Sequence, residues 1–219
     1  MHTRGVSATV EPASRLERRK QRTRAALVKA AQRLIAEGKI NVPVLEITRV
    51  ADVGMGSFYN HFDSKEELFA AAVADVLDAH GAMLDRLTAS IEDPAETFAA
   101  SFRMTGRLFR RRPQESEILL ANGLSLLSSD RGLAPRALRD IEAGVAAGRF
   151  HIDDPELALA MAGGALLGLG KLLRDDPGRD DALASDAVTE SVLRLFGLGA
   201  ADAHAICQRP LPDDAFGEA

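Results

Sequence analysis

Ile47-Thr-Arg-Val-Ala-Asp-Val-Gly-Met-Gly-Ser-Phe-Tyr-Asn-His-Phe62, continued by Asp63-Ser-Lys-Glu-Glu-Leu68, decides the fold. It reads as two short helices around a tight turn, then a third helix opening at a serine cap, the layout that sets one helix into a DNA major groove. Pro43 suits the first turn of the earlier short helix, which is expected to run to about Ala51. Asp52 takes the turn, since its short side chain tolerates a left-handed backbone better than most. The recognition helix then spans 54–60, with Phe58 and Phe62 four apart and facing inward. Met55, Ser57, Tyr59, Asn60 and His61 are left for its outer side or margins.

Working outward towards the N-terminus, Ser14-x-x-Glu17 has capping-box spacing and Gly38 is a C-terminal cap residue, so one long helix is expected between them. Leu27, Ala30, Ala31, Leu34 and Ile35 give its second half one apolar face. Its first half carries Arg15, Arg18, Arg19, Lys20, Arg22 and Arg24 on all sides. Alone, such a run reads as a solvated basic face; beside a helix-turn-helix it reads as an arm that reaches phosphates. The formal net charge is -5, yet residues 1–65 hold 12 Lys and Arg against 6 Asp and Glu, while the remainder holds 15 against 26. A basic head on an acidic body suits DNA binding by the head alone.

These residues resemble the TetR family of transcriptional regulators. The resemblance rests on Ile47, Ala51 and Val53, on Gly56-Ser57-Phe58-Tyr59, on the Tyr59-Asn-His-Phe62 ending and on Ser64-Lys-Glu-Glu-Leu68, and it covers about residues 20–70. Three positions depart from the family pattern: Asp52 replaces the usual turn glycine, Gly54 the usual serine cap, and Pro43 a threonine that often caps the second helix and bonds a phosphate. The expected contacts with double-stranded DNA are Arg18, Arg19, Arg22 and Arg24 of the arm, Thr48 and Arg49 of the second helix, and Met55, Gly56, Ser57, Tyr59, Asn60, His61 and Lys65. Tyr59, His61 and Lys65 suit phosphate contacts, and Met55, Gly56, Ser57 and Asn60 suit base reading, a set with little bidentate capacity. Tyr59 as a plug of the head's core and His61 as a passive surface group are the competing readings.

Beyond the head, a fourth helix is expected over 64–92, with apolar residues at helical spacing throughout, and Asp93-Pro94-Ala-Glu96 restarts a helix with cap, proline and acid in order. Further helices are expected over 113–128, 135–147, 155–175 and 181–197. The fold class is all-α, with few β-branched alternations and abundant Ala, Leu and Arg. The division expected is a DNA-binding head over 14–64, a helical regulatory and dimerisation body over 65–207, and flexible tails over 1–13 and 208–219.

Two sites are expected in the body. Gly164, Leu167 and Gly168 with Val188, Val192, Leu195 and Phe196 are assigned to a dimer interface, because interior helix glycines invite close approach of another helix. The resemblance agrees, implying a four-helix interface from the last two long helices of each subunit. Phe98, Phe102, Met104, Phe109, Leu119, Asn122, Leu126 and Met161 are candidates for an effector cavity, although each also suits an ordinary core. Arg103 and Arg107 suit an acidic ligand or a solvated face equally. What the resemblance implies is a homodimeric repressor that binds a near-palindromic operator and releases it when a small, mostly hydrophobic molecule enters the body. An activator, a regulator without effector and a protein-binding scaffold are the alternatives.

Other classes find little footing. Cys207 is the single cysteine, which excludes an internal disulfide and fits a reducing cytoplasm. No phosphate loop, nucleophile elbow or His-Glu-x-x-His motif is present, so neither an enzyme nor a metal or cofactor is expected. The longest apolar run, Leu157 to Gly170, falls short of the roughly 20 residues that cross a bilayer.

Overall fold

The structure is a computed structural model that describes residues 15–122 and 131–212. These residues form ten helices: α1 (Arg15–Ala36), α2 (Val44–Val50), α3 (Met55–Tyr59), α4 (Lys65–Thr88), α5 (Pro94–Arg111), α6 (Pro113–Asn122), α7 (Leu133–Ala146), α8 (Pro155–Asp175), α9 (Asp181–Leu195) and α10 (Ala200–Gln208).

Local chemistry fixes most of the boundaries. The Ser64 hydroxyl accepts from the Glu67 N–H at 3.1 Å, and the Glu67 carboxylate accepts from the Asp63 N–H at 2.7 Å, a reciprocal clasp on the start of α4. Asp93, Asp154 and Asp180 cap α5, α8 and α9 in the same manner, each accepting from a first-turn N–H. Gly38, at φ +71°, closes α1 in the left-handed region.

Three expectations about helices change. Pro43 is the cap of α2 rather than its first helical residue, and it offers no side-chain oxygen to that helix. α4 stops at Thr88, and the chain turns through residues 89–92 to reach the extended Asp93, the cap of α5. α10 was not foreseen; it starts at Gly199, which has no capping side chain, and buries Ala203, Ile206 and Cys207. Residues 209–212, expected in a loose tail, lie against the body. Arg103 donates to the Arg209 carbonyl at 2.9 Å, and Leu211 packs on the cluster of Leu84, Ala100 and Met104.

Two large clusters make up most of the core, beside the small one of Leu84, Ala100 and Met104. Leu27, Leu34, Ile47, Phe58 and Phe62 of the head join Leu68 and Ala72 of α4, and this cluster continues to Leu77, Leu108 and Leu173 of the body. The second part centres on Phe98, Phe150 and Phe196, whose ring centroids lie 5.1 to 5.9 Å apart. α5 threads the middle of the body, touching α4 and α6 through α10. Arg103 and Arg107 serve neither expected role: both are buried on α5 and share Asp186 of α9, at 2.7 and 2.9 Å. Burial lowers the Arg107 pKa while Asp186 opposes the shift.

Candidate functional site

In the head, the turn between α2 and α3 holds Asp52 at φ +53°, the left-handed conformation expected of it. That turn presents α3 with alternate fates for neighbouring aromatics. Phe58 is fully buried, while Tyr59 is 58% exposed and meets the Phe58 ring only edge-on, at 5.1 Å. The phenol is therefore at the surface and does not plug the core. Arg18, Arg19, Arg22, Arg24, Arg49, Met55, Gly56, Tyr59 and Asn60 are exposed, and Ser57, His61 and Lys65 are half-buried. The Arg24 guanidinium lies 5.2 Å over the Phe62 ring, which anchors the basic half of α1 to the head's core. Thr48 is a correction. It is buried, and its hydroxyl donates back to the Leu45 carbonyl at 3.0 Å, so it has no free reach to a nucleic acid.

In the body, two adjoining cavities of about 90 and about 70 Å³ open between α4, α5, α7 and α8. Phe98, Phe102, Leu133, Ala137 and Leu166 border both. The larger is walled by apolar groups, among them Leu77, Leu119 and Leu159. The smaller has a polar end formed by Asp85, Ser101, Thr105, Arg136 and Asp140. Arg136 donates to Asp85 at 2.8 Å, and Arg139 bridges Asp85 at 2.9 Å and Asp140 at 2.8 Å. Burial raises the Asp140 pKa, opposed by the hydrogen bonds from Arg139. Beside this end, the Thr105 hydroxyl donates to the Ser101 carbonyl at 2.8 Å, so the His80 Nε2–H is the donor in its 3.1 Å bond to Thr105. Burial, with the nearby Arg112 charge, pushes the His80 pKa down to about 4.

The expected cavity residues divide. Phe98, Phe102 and Leu119 are in the walls. Met104 is buried on another side of α5, against Leu84 and Ala100, and Phe109 lies against the backbone of Gly170. Met161 is exposed on the outer side of α8. Asn122 ends α6, its side chain outside the described residues, as is Leu126 altogether. The residues of α7 were missed: Leu133, Arg136, Ala137 and Asp140 border the cavities, and the i, i+3, i+4 spacing of 133, 136 and 137 was the available signal.

The expected interface residues divide as well. Gly164, Gly168 and Leu195 are exposed, and a Cβ added at either glycine meets nothing within 4 Å. Val192 and Phe196 are buried in the second core cluster, so they are unavailable to another subunit. Val188 is half-buried against the core, and Leu167 turns to the larger cavity. Leu157, Met161 and Leu172 of α8, with Leu183 of α9, supply exposed apolar groups instead. α8 has the length and composition of a membrane-crossing helix, at mean hydropathy 1.5, yet one of its sides packs on α5, α6, α7 and α9.

An exposed recognition helix on a basic head, joined by one long helix to a hollow helical body, defines a DNA-binding regulator. Residues 27–72 match the family model described as "Bacterial regulatory proteins, tetR family", and residues 93–209 match "Tetracyclin repressor-like, C-terminal domain". The chain belongs to the TetR family of transcription regulators. It is 34% identical to RolR without ligand, covering 87% of this chain and 98% of that one at a TM-score of 0.74. RolR in complex with resorcinol is 33% identical, over 90% and 98% of the two chains, at a TM-score of 0.65. A putative tetR family regulator from Shewanella sp. PV-4 shares the fold at 18% identity, covering 81% and 99%, with a TM-score of 0.70. No curated protein matches the chain. The family and these neighbours are regulators, not enzymes.

Proposed function

We propose that this protein is a homodimeric repressor that binds a near-palindromic operator and lets go when a small hydroxylated aromatic molecule fills the body cavities. The observation that carries the reading is the course of α4. Leu68 and Ala72 near its start belong to the head's core, and Leu77, Leu84 and Asp85 further along border the cavities. One rigid helix thus touches the DNA-reading unit and the effector space. A ligand that prefers one position of α4 moves the head with it, and only such a differential preference shifts the equilibrium.

The cavities set the effector's chemistry. Their combined size is near the roughly 150 Å³ that holds a benzene ring. The apolar walls suit a flat ring, and Asp140, Arg136 and Asp85 suit its hydroxyl groups. The ligand of the RolR complex, resorcinol, has this character. A carboxylate in place of a hydroxyl would meet Asp85 and Asp140 while Arg136 and Arg139 are already paired with them, so a neutral phenol is favoured over an aromatic acid.

Dimerisation is supported by the exposed apolar stripe of α8 and α9, where Gly164 and Gly168 leave room for an approaching helix. A homodimer presents two recognition helices about 34 Å apart, one DNA turn. The expected contacts at the DNA are the exposed set of α1 and α3 with Arg49 of α2, and Tyr59, His61 and Lys65 are on phosphates. Fluorescence anisotropy on duplexes enriched from a random library tests the reading. Tight, salt-sensitive binding to a two-fold symmetric sequence supports it, and equal binding to scrambled DNA sinks it.

A further inference from the structure

Of the two glycines that flank Met55, Gly54 stands at a helix cap, where glycine is well accepted, and Gly56 has no explanation inside the molecule. Gly54 caps α3 with ordinary extended angles, φ -71° and ψ 151°, and Gly56 is helical with no positive φ. A Cβ at Gly54 meets only the Ser57 hydroxyl, at 4.0 Å, and one at Gly56 meets nothing within 4 Å. At Gly56 neither packing nor backbone geometry calls for glycine, and a glycine inside a helix is unfavourable relative to alanine. The space they leave lies on the outer side of α3, where DNA is expected. Between them Met55 is 40% exposed and is the one large side chain of the segment 54–57. Gly-Met-Gly-Ser offers no guanidinium, amide or carboxylate, so it cannot make the bidentate pairs that read guanine or adenine.

We infer that Met55 reads a thymine through its C5-methyl group, with Gly54 and Gly56 letting the helix approach closely enough for that contact. The major-groove feature that separates thymine from cytosine without a hydrogen bond is this methyl, and a flexible, polarisable thioether is suited to cover it. The inference rests on the operator-binding reading above and goes further, by naming the base that the recognition helix selects.

The test uses the full-length protein and a duplex enriched from a random library. Each thymine is replaced singly by uracil, which differs only in lacking the methyl, and affinity is measured for wild type, Met55→Ala and Gly56→Ala. One thymine, at equivalent positions in both half-sites, is expected to weaken wild-type binding about fourfold per half-site when it becomes uracil. Met55→Ala binds the thymine and uracil duplexes equally, and Gly56→Ala weakens on both. Because both positions are exposed, Met55→Ala should leave helicity and Tm unchanged and Gly56→Ala should leave them unchanged or slightly raised, so neither loss of binding comes from unfolding. If no uracil matters, or the uracil effect is as large in Met55→Ala, the assignment is overturned while operator binding stands. If no duplex is enriched, the operator-binding reading fails and the assignment falls with it.

Discussion

The head and the body hold their working residues in opposite ways. In the head, function projects outward from a small core: Phe58 is inside and Tyr59, its neighbour, is outside. In the body, the proposed site is an absence, two cavities walled by Phe98, Phe102 and Leu133, residues that elsewhere in the same helices simply pack. An outward site is specified by which side chains leave the core. An inward one is specified by which fail to fill it, a property of several helices jointly.

The sharpest break of this contrast is Phe58→Ala against Tyr59→Ala. Truncating the buried ring should destabilise the head by about 3–5 kcal/mol, read by urea denaturation. Tyr59→Ala should leave the unfolding midpoint unchanged and weaken operator binding by about tenfold, roughly one charge-assisted phosphate contact.

A smaller effect concerns the groove between α4 and α5. His80 is buried neutral with its pKa at about 4, against 6.5 when free, so the unfolded chain binds more protons between those values. Stability should therefore be full above pH 6.5 and decline towards pH 4, by up to roughly 3 kcal/mol. His80→Gln keeps a donor for Thr105 and should flatten that part of the pH profile of the urea midpoint. An unchanged slope would remove His80 as its source.

Asp140→Asn separates the two regions by function. It should reduce affinity for a phenolic effector about tenfold in calorimetry, while operator affinity without effector stays within twofold. Loss of operator binding instead would mean that Asp140 acts through the fold. The smallest expected change is Asp52→Gly. It relieves a left-handed backbone and should raise the head's stability by under about 1 kcal/mol in thermal melts.

Legibility in the sequence follows the same divide. The turn at Asp52, the caps at Ser64 and Asp93, and the inward pair Phe58 and Phe62 are local features, so spacing and side-chain chemistry were enough to find them. Thr48 was misplaced because a short polar residue at a helix end suits the surface and a backbone bond equally. α10 escaped because Gly199 gives no capping signal. Met161 and Phe196 exchanged their expected places relative to solvent for another reason. α8 and the end of α9 are apolar on several sides, and helical periodicity does not say which apolar side faces the core. The polar end of the cavity joins Asp85 of α4 to Asp140 of α7, 55 residues apart, a meeting that no local pattern encodes.

The central claim is that α4 couples the cavity to the head, and coupling is reciprocal. The most direct measurement is calorimetric titration of resorcinol into the free protein and into the protein saturated with its enriched duplex. The account predicts weaker resorcinol binding to the DNA-bound form, by at least about tenfold, matched by the same factor in operator affinity when resorcinol is saturating. Equal resorcinol affinity with and without operator would contradict the coupling, and no binding to either form would contradict the proposed effector chemistry.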